Sequence, residues 1–137
     1  SYRMVGTEMS IEYSAYESGL DRFIKADKGD FLGRDALLAW HAQDNTRRFV
    51  TIEVFDVVDA DALGSNALTI NDKLVGRATG GGFGFRVNKS LALGLVDAAS
   101  ADVGTRLNID ILGKRHTAEI IGESPFDPRN ERLRSNE

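Results

Sequence analysis

The sequence contains no cysteine, and only 2 prolines, 2 histidines and 1 tryptophan occur among its 137 residues. Without cysteine there are no disulfides, no thiolate nucleophile and no cysteine-ligated metal. This composition fits a reducing compartment, and the cytoplasm is the expectation. The two histidines, His41 and His116, lie far apart in the chain, and neither has a second histidine or a clear carboxylate at ligand spacing. Both are expected at the surface or half-buried. No Gly-x-Ser-x-Gly elbow presents a serine nucleophile. Proline is confined to Pro125 and Pro128, near the end. No apolar run approaches the roughly 20 residues that a membrane-crossing helix requires. Nor does the opening, SYRMVGTEMS, show the charged-then-apolar order of a signal peptide. Met4 is internal and the first residues already read as folded interior, so the expectation is a piece of a longer polypeptide. Basic side chains number 17 against 21 acidic, a net charge of -4. They are scattered with no interleaved aromatics, so neither nucleic acid nor a membrane is the expected partner.

What remains is an ordinary globular composition, 42% hydrophobic and 28% charged. The chain changes character near residue 46. Before it, SAYESGLDRFI places Tyr16, Leu20 and Phe23 at helical spacing and predicts a short helix. GRDALLAWHAQ predicts a better one: Ala36, Leu37, Trp40 and His41 form a stripe, Asp35 suits the first turn, and Asn45 can close the end. So short a stripe needs a body to pack against. After it, strands predominate. RRFVTIEVF places Val50, Ile52 and Val54 on one face. NALTINDKLVGRAT reads as two strands around an Asn71-Asp72 turn. SLALGLVD puts Leu91, Leu93 and Leu95 on one face and Ala92, Gly94 and Val96 on the other, and the small residues suit a tight barrel wall. TRLNIDILGKRHTAEII reads as a hairpin turning at Gly113-Lys114. Five or six short strands, about 10 residues apart, predict a small barrel or sandwich. The tail RNERLRSNE is polar and expected to fray.

Three stretches could carry chemistry. TGGGFGFRVNKSLALGLV, Thr79 to Val96, mimics a phosphate loop. However, Asn88 precedes Lys89, Phe83 and Phe85 stand where glycines are required, and a strand follows instead of a helix. A bulged turn between strands, at Gly80 to Gly84, is the better reading. DADALGSNALTI mimics the start of a calcium loop, but Leu63 and Ile70 occupy ligand positions, so a solvated loop is expected. EYSAYESGLDRF sets Glu17 among aromatics. A carboxylate there can accept two parallel hydrogen bonds from a planar N–H pair such as a pterin, or it can pair with an arginine or cap a backbone turn.

Taken together, several stretches resemble the aminomethyltransferase (glycine cleavage T-protein) family. SIEYSAYESGLDRFIKADKGDFLGRDALL is similar to that family's Thr-Pro-x-Glu-x-Gly-Leu run and the Asp-Phe-Ile-Gly-Arg-Glu-Ala-Leu that follows. ATGGGFGFRVNKSLALGLV resembles its Gly-x-Tyr-Gly-His-x-Val-Gly-Lys-Ser-Leu-Ala-Leu-Gly-Tyr-Val segment, and ESPFDPRNERLR its Pro-Leu-Phe-Asp-Pro-x-x-x-Arg-Leu-Arg ending. The last two are most similar to the dimethylglycine and sarcosine dehydrogenase branch. Ser14 departs from the usual proline and Phe85 from that branch's histidine. The resemblance implies a mainly β (α+β) fold: a small antiparallel β-barrel of five to six strands preceded by one or two short helices. It implies residues 1–32 as the end of a folate-binding body, 33–46 as a linking helix and 47–137 as a C-terminal barrel. It also implies tetrahydrofolate as cofactor of the full-length protein, FAD in an upstream domain, and a small methylated amine as substrate. The catalytic aspartate would lie upstream, so the chain would support the folate site without catalysing alone. Glu17, and then Tyr13 and Phe83 as an aromatic wall, are the candidate folate contacts. The alternative is a non-catalytic barrel module that docks a partner or subunit.

Overall fold

The computed structural model describes residues 2–43 and 46–135. After turns and a 3-10 turn at Asp21–Phe23 comes helix α1 (Arg34–Ala42). Strands β1 (Arg47–Val54), β2 (Ala67–Ile70), β3 (Lys73–Gly84), β4 (Lys89–Asp97), β5 (Arg106–Ile111) and β6 (Lys114–Ile121) follow, then a short helix α2 (Glu131–Arg134). The strands form a closed barrel in the order β1-β4-β3-β2-β5-β6, with every pairing antiparallel. Closure through β6 and β1 leaves no free sheet edge.

The alternation predicted from the sequence sets the interior. Val50, Ile52 and Val54 of β1 point inward with Leu68, Ala92, Val96, Leu107, Ile109, Ile111 and Ile120. On β4 the small side chains take the inner face, as a narrow barrel requires. Gly94 lies opposite Val50 in the register, and a Cβ there would stand 3.0 Å from the Leu68 Cδ1 and 3.4 Å from the Ile52 Cδ1. The hairpin turn at Asn71-Asp72 forms as expected, with φ of 49° and 63°, the left-handed pair that a two-residue turn demands.

Several local expectations are corrected. The glycine run is not the turn itself. Gly80, Gly81, Gly82 and Gly84 belong to β3, a register shift lies between Ala78 and Gly80, and residues 85–88 make the turn. Gly81 is where backbone meets backbone: a Cβ there would lie 2.8 Å from the Leu91 carbonyl oxygen and 2.9 Å from that of Ala62. The second hairpin turns on Leu112-Gly113, one residue earlier than expected, with Lys114 already in β6. The predicted helix around Tyr16 to Phe23 is a succession of turns because Gly19 takes φ 64°, outside helical space. Helix α1 forms, yet none of its residues is buried; Trp40 is 42% exposed. Asn45, proposed to close it, lies outside the described residues. Near the start of α2 the Asp127 carboxylate accepts from the N–H groups of Glu131 (2.8 Å) and Arg132 (3.1 Å). His116 is buried on β6, whereas His41 is exposed and stacks on Tyr16 with ring centroids 4.1 Å apart.

Candidate functional site

Residues 2–32 lack regular helix or strand apart from the short 3-10 turn, and lie as a strap over the outer wall of β1, β4 and β3. Polar side chains fasten it. Arg3 lies over the Phe49 ring at 4.1 Å and donates to the carbonyls of Ser18 (2.8 Å) and Gly19 (3.1 Å) and to Glu123 Oε1 (2.6 Å). That guanidinium contact, stronger than the opposing effect of burial, holds the Glu123 carboxyl below its ordinary pKa.

Glu17 is buried, and both of its oxygens are engaged inside the strap. Its Oε2 accepts from the Ser14 N–H (2.9 Å) and hydroxyl (3.1 Å), and its Oε1 from the Thr46 hydroxyl (3.3 Å). The Ser14 hydroxyl oxygen accepts in return from the Glu17 N–H at 3.1 Å. This reciprocal Ser-x-x-Glu arrangement is a capping box closing one turn. The Glu17 carbonyl then accepts from the Phe49 N–H at 2.8 Å, tying the turn to β1. Of the readings weighed for this carboxylate, backbone capping is the geometry present.

Tyr13 lies against Arg77 of β3. Its phenol oxygen accepts from Arg77 Nε at 3.1 Å and also from Nη2, which in addition reaches Glu12 Oε2 at 3.3 Å. The contact with Tyr13, above all, keeps the Arg77 guanidinium more firmly protonated than usual. Phe83 lies at the other end of the same strand. Six strand residues span about 20 Å, so Tyr13 and Phe83 do not share one wall. Phe83 meets Phe85 edge-to-face, centroids 5.1 Å apart.

Beside that aromatic pair runs a groove of ≈ 750 Å³ lined by Tyr2, Arg22, Phe85, Arg86, Leu91 and Phe126, among others. Arg86 lies over the Phe126 ring at 5.1 Å, and Arg132 at 5.7 Å. The carboxylates of Glu123 and Asp127 line the same groove, and the Arg22 charge helps to hold the Glu123 carboxyl below its ordinary pKa, after the larger effect of Arg3. Aromatic faces beside guanidiniums suit a flat ligand with acceptor groups at its edge. Sequence reasoning missed Arg22, Arg86 and Phe126. The signal for Arg86 was present in Phe-Gly-Phe-Arg at the hairpin tip, but nothing in the sequence places Arg22 beside it.

Residues 47–127, more than half of the chain, match the glycine cleavage T-protein C-terminal barrel domain, so the chain belongs to this family. Among individual relatives, it is 34% identical over 124 residues to the mitochondrial dimethylglycine dehydrogenase of Homo sapiens, covering 90% of this chain and 14% of that protein. It is also 34% identical to the aminomethyltransferase of Symbiobacterium thermophilum, covering 90% of this chain and 32% of that protein. The crystal structure of the glycine cleavage system aminomethyltransferase T from Bartonella henselae shares the fold, with a TM-score of 0.78 at 21% identity over 88% of this chain and 34% of that one. The chain thus spans a third or less of the curated relatives named here. Among the described residues no helix is long and apolar enough to cross a membrane.

Proposed function

We propose that this chain is the C-terminal portion of a tetrahydrofolate-dependent enzyme that transfers a one-carbon unit from a glycine, sarcosine or dimethylglycine type amine. The groove between Phe85, Arg86 and Arg22 carries the reading. Its aromatic faces match a ring system, and its guanidiniums match the carboxylates that folate carries. In this reading Phe83 supports the groove by packing on Phe85, while Tyr13 and Glu17 serve the ligand through the strap they fasten. Residues 1–32 belong to the folate-binding body, 33–46 form the link and 47–137 the barrel.

The apolar side chains of α1 and the residues before it favour an arrangement with the rest of a larger enzyme. Leu32 is fully exposed and Phe23 is 67% exposed, alongside Trp40. A patch of that kind marks a surface made to be covered, and the folate-binding body of the same protein is the proposed cover. FAD, in this reading, belongs to an upstream domain.

The test is titration of tetrahydrofolate into the full-length protein and into Arg86→Ser, Phe83→Ala and Glu17→Ala. Arg86→Ser is expected to weaken binding by about 10-fold or more, the worth of one charge-assisted contact. No folate binding by the full-length protein, or unchanged affinity in all three variants, refutes the reading.

A further inference from the structure

Arg3 stands near the start of the strap, with a side chain only 4% exposed. A guanidinium taken that far from water is costly unless its donors find partners. All three of its nitrogens are engaged, each by a different acceptor. Nε and Nη2 donate to the carbonyls of Ser18 and Gly19, Nη1 donates to Glu123 Oε1, and the Phe49 ring of β1 lies against the guanidinium face. A lysine, a point charge on a flexible stem, cannot reproduce that planar fork. The two carbonyls belong to the segment that leads into the 3-10 turn at Asp21–Phe23 and so to Arg22. That turn is itself fixed, with the Phe23 N–H donating to the Leu20 carbonyl at 2.9 Å. The carboxylate belongs to the segment after β6. There the Glu123 carbonyl accepts from the Thr51 hydroxyl at 2.9 Å, and Pro125 and Pro128 restrict the backbone on either side of Phe126.

Both segments are walls of the aromatic groove. Tyr2 and Arg22 line it from the strap, and residues 123–128 line it from the chain after β6, whereas Arg3 lines none of it. The contact between Arg3 and Glu123 therefore joins two walls that are 120 residues apart in the chain. We propose that Arg3 is a positioning residue for the groove: it holds the wall carrying Arg22 and the wall carrying Phe126 in one arrangement without touching the ligand. The proposal rests on the groove being the folate site; the tie between the walls does not. Without the guanidinium, the Ser18 and Gly19 carbonyls and the Glu123 carboxylate lose their common donor, and the two walls move independently. A ligand that must then order both walls as it binds does so at the expense of affinity.

Two measurements on the full-length protein test this. The first is hydrogen exchange of Arg3→Met and Arg3→Lys without ligand. Both variants are expected to exchange faster than the parent in the peptides spanning residues 18–23 and 123–128, with β5 and β6 as protected as before. Unchanged exchange in either of those two peptides overturns the tie. The second is a double-mutant cycle on tetrahydrofolate affinity, read by calorimetry, with melting temperatures confirming that each variant is folded. Arg3→Met and Arg22→Met are each expected to weaken binding by about 10-fold, and the pair together by little more, because an Arg22 that is no longer held has little left to lose. Arg3→Lys is expected to fall between Arg3→Met and the parent. Ile109→Val, a core change on β5, is expected to lower the melting temperature and leave the affinity unchanged, which separates positioning from general loosening. A loss of about 100-fold in the pair, or an Arg3→Met affinity within about 2-fold of the parent, overturns the positioning role. A parent that binds no tetrahydrofolate refutes the folate reading alone, with faster exchange in both peptides still supporting the tie.

Discussion

Two glutamates are buried in the strap, and they do different work there. Glu17 closes a turn with Ser14 and carries its backbone onto β1. Removing the cap in Glu17→Ala should cost about 1–2 kcal/mol of unfolding free energy, read by urea denaturation, while Ser14→Ala should cost about 1 kcal/mol. Equal stability of both variants with the parent would mean that the box contributes nothing. Glu8 and Glu123 bear on pH. Burial alone would raise the Glu8 pKa, but the facing Thr79 hydroxyl and the hydrogen bonds from Met4 and Thr7 outweigh it, so both carboxyls sit below the ordinary 4.5. A group whose folded pKa is depressed adds stability above its unfolded pKa and loses it as pH falls through the folded value. The strap should therefore loosen progressively below pH 4.5, and Glu8→Gln should flatten that dependence. An acid-unfolding curve that is unchanged in Glu8→Gln contradicts this. At this scale the sequence was half legible. Glu17 stood out by its place among aromatics, with a turn cap among its readings, whereas Ser14 showed only as a departure from the usual proline and not as its partner. The Thr46 contact was not readable, because 29 residues separate the partners.

At the scale of elements, hydrophobic alternation made the barrel strands legible, since a closed barrel has one inside and each strand must send every second residue there. Turn placement was less legible. Leu112 takes φ 49°, a conformation that its side chain disfavours and that no composition rule selects. The glycine run was hardest, because glycine serves turns, bulges and close approaches alike. Its role here is testable by contrast. Gly81→Ala drives a Cβ against two carbonyl oxygens and should destabilise by about 1–3 kcal/mol. Gly82→Ala, one residue on, meets nothing within 4 Å and should stay within about 0.5 kcal/mol of the parent. Thermal melts of the pair settle the matter, and the reverse order would place the close approach elsewhere.

At the scale of the whole molecule, the barrel is a finished core, while α1 and the adjoining strap are not. The barrel buries its apolar side chains, whereas α1 buries none of its own. The amphipathic stripe of α1 was legible in the sequence. Its lack of a partner was not, because periodicity reports that a face is apolar and not what covers it. Leu38→Asp should leave the stability of the isolated chain within about 0.5 kcal/mol of the parent, since that side chain is already 36% exposed. In the full-length protein the same change should uncouple the melting of the C-terminal portion from the remainder. A single unaltered transition there would mean that the helix face stays bare.

The central claim is that folate lies against the hairpin tip of β3 and β4 and the arginines beside it. Hydrogen exchange of the full-length protein, followed by mass spectrometry with and without tetrahydrofolate, reads this without altering a residue. The account predicts slowed exchange in peptides spanning residues 83–88 and around Arg22 when the ligand is added. Folate-dependent protection that leaves those peptides untouched would contradict it.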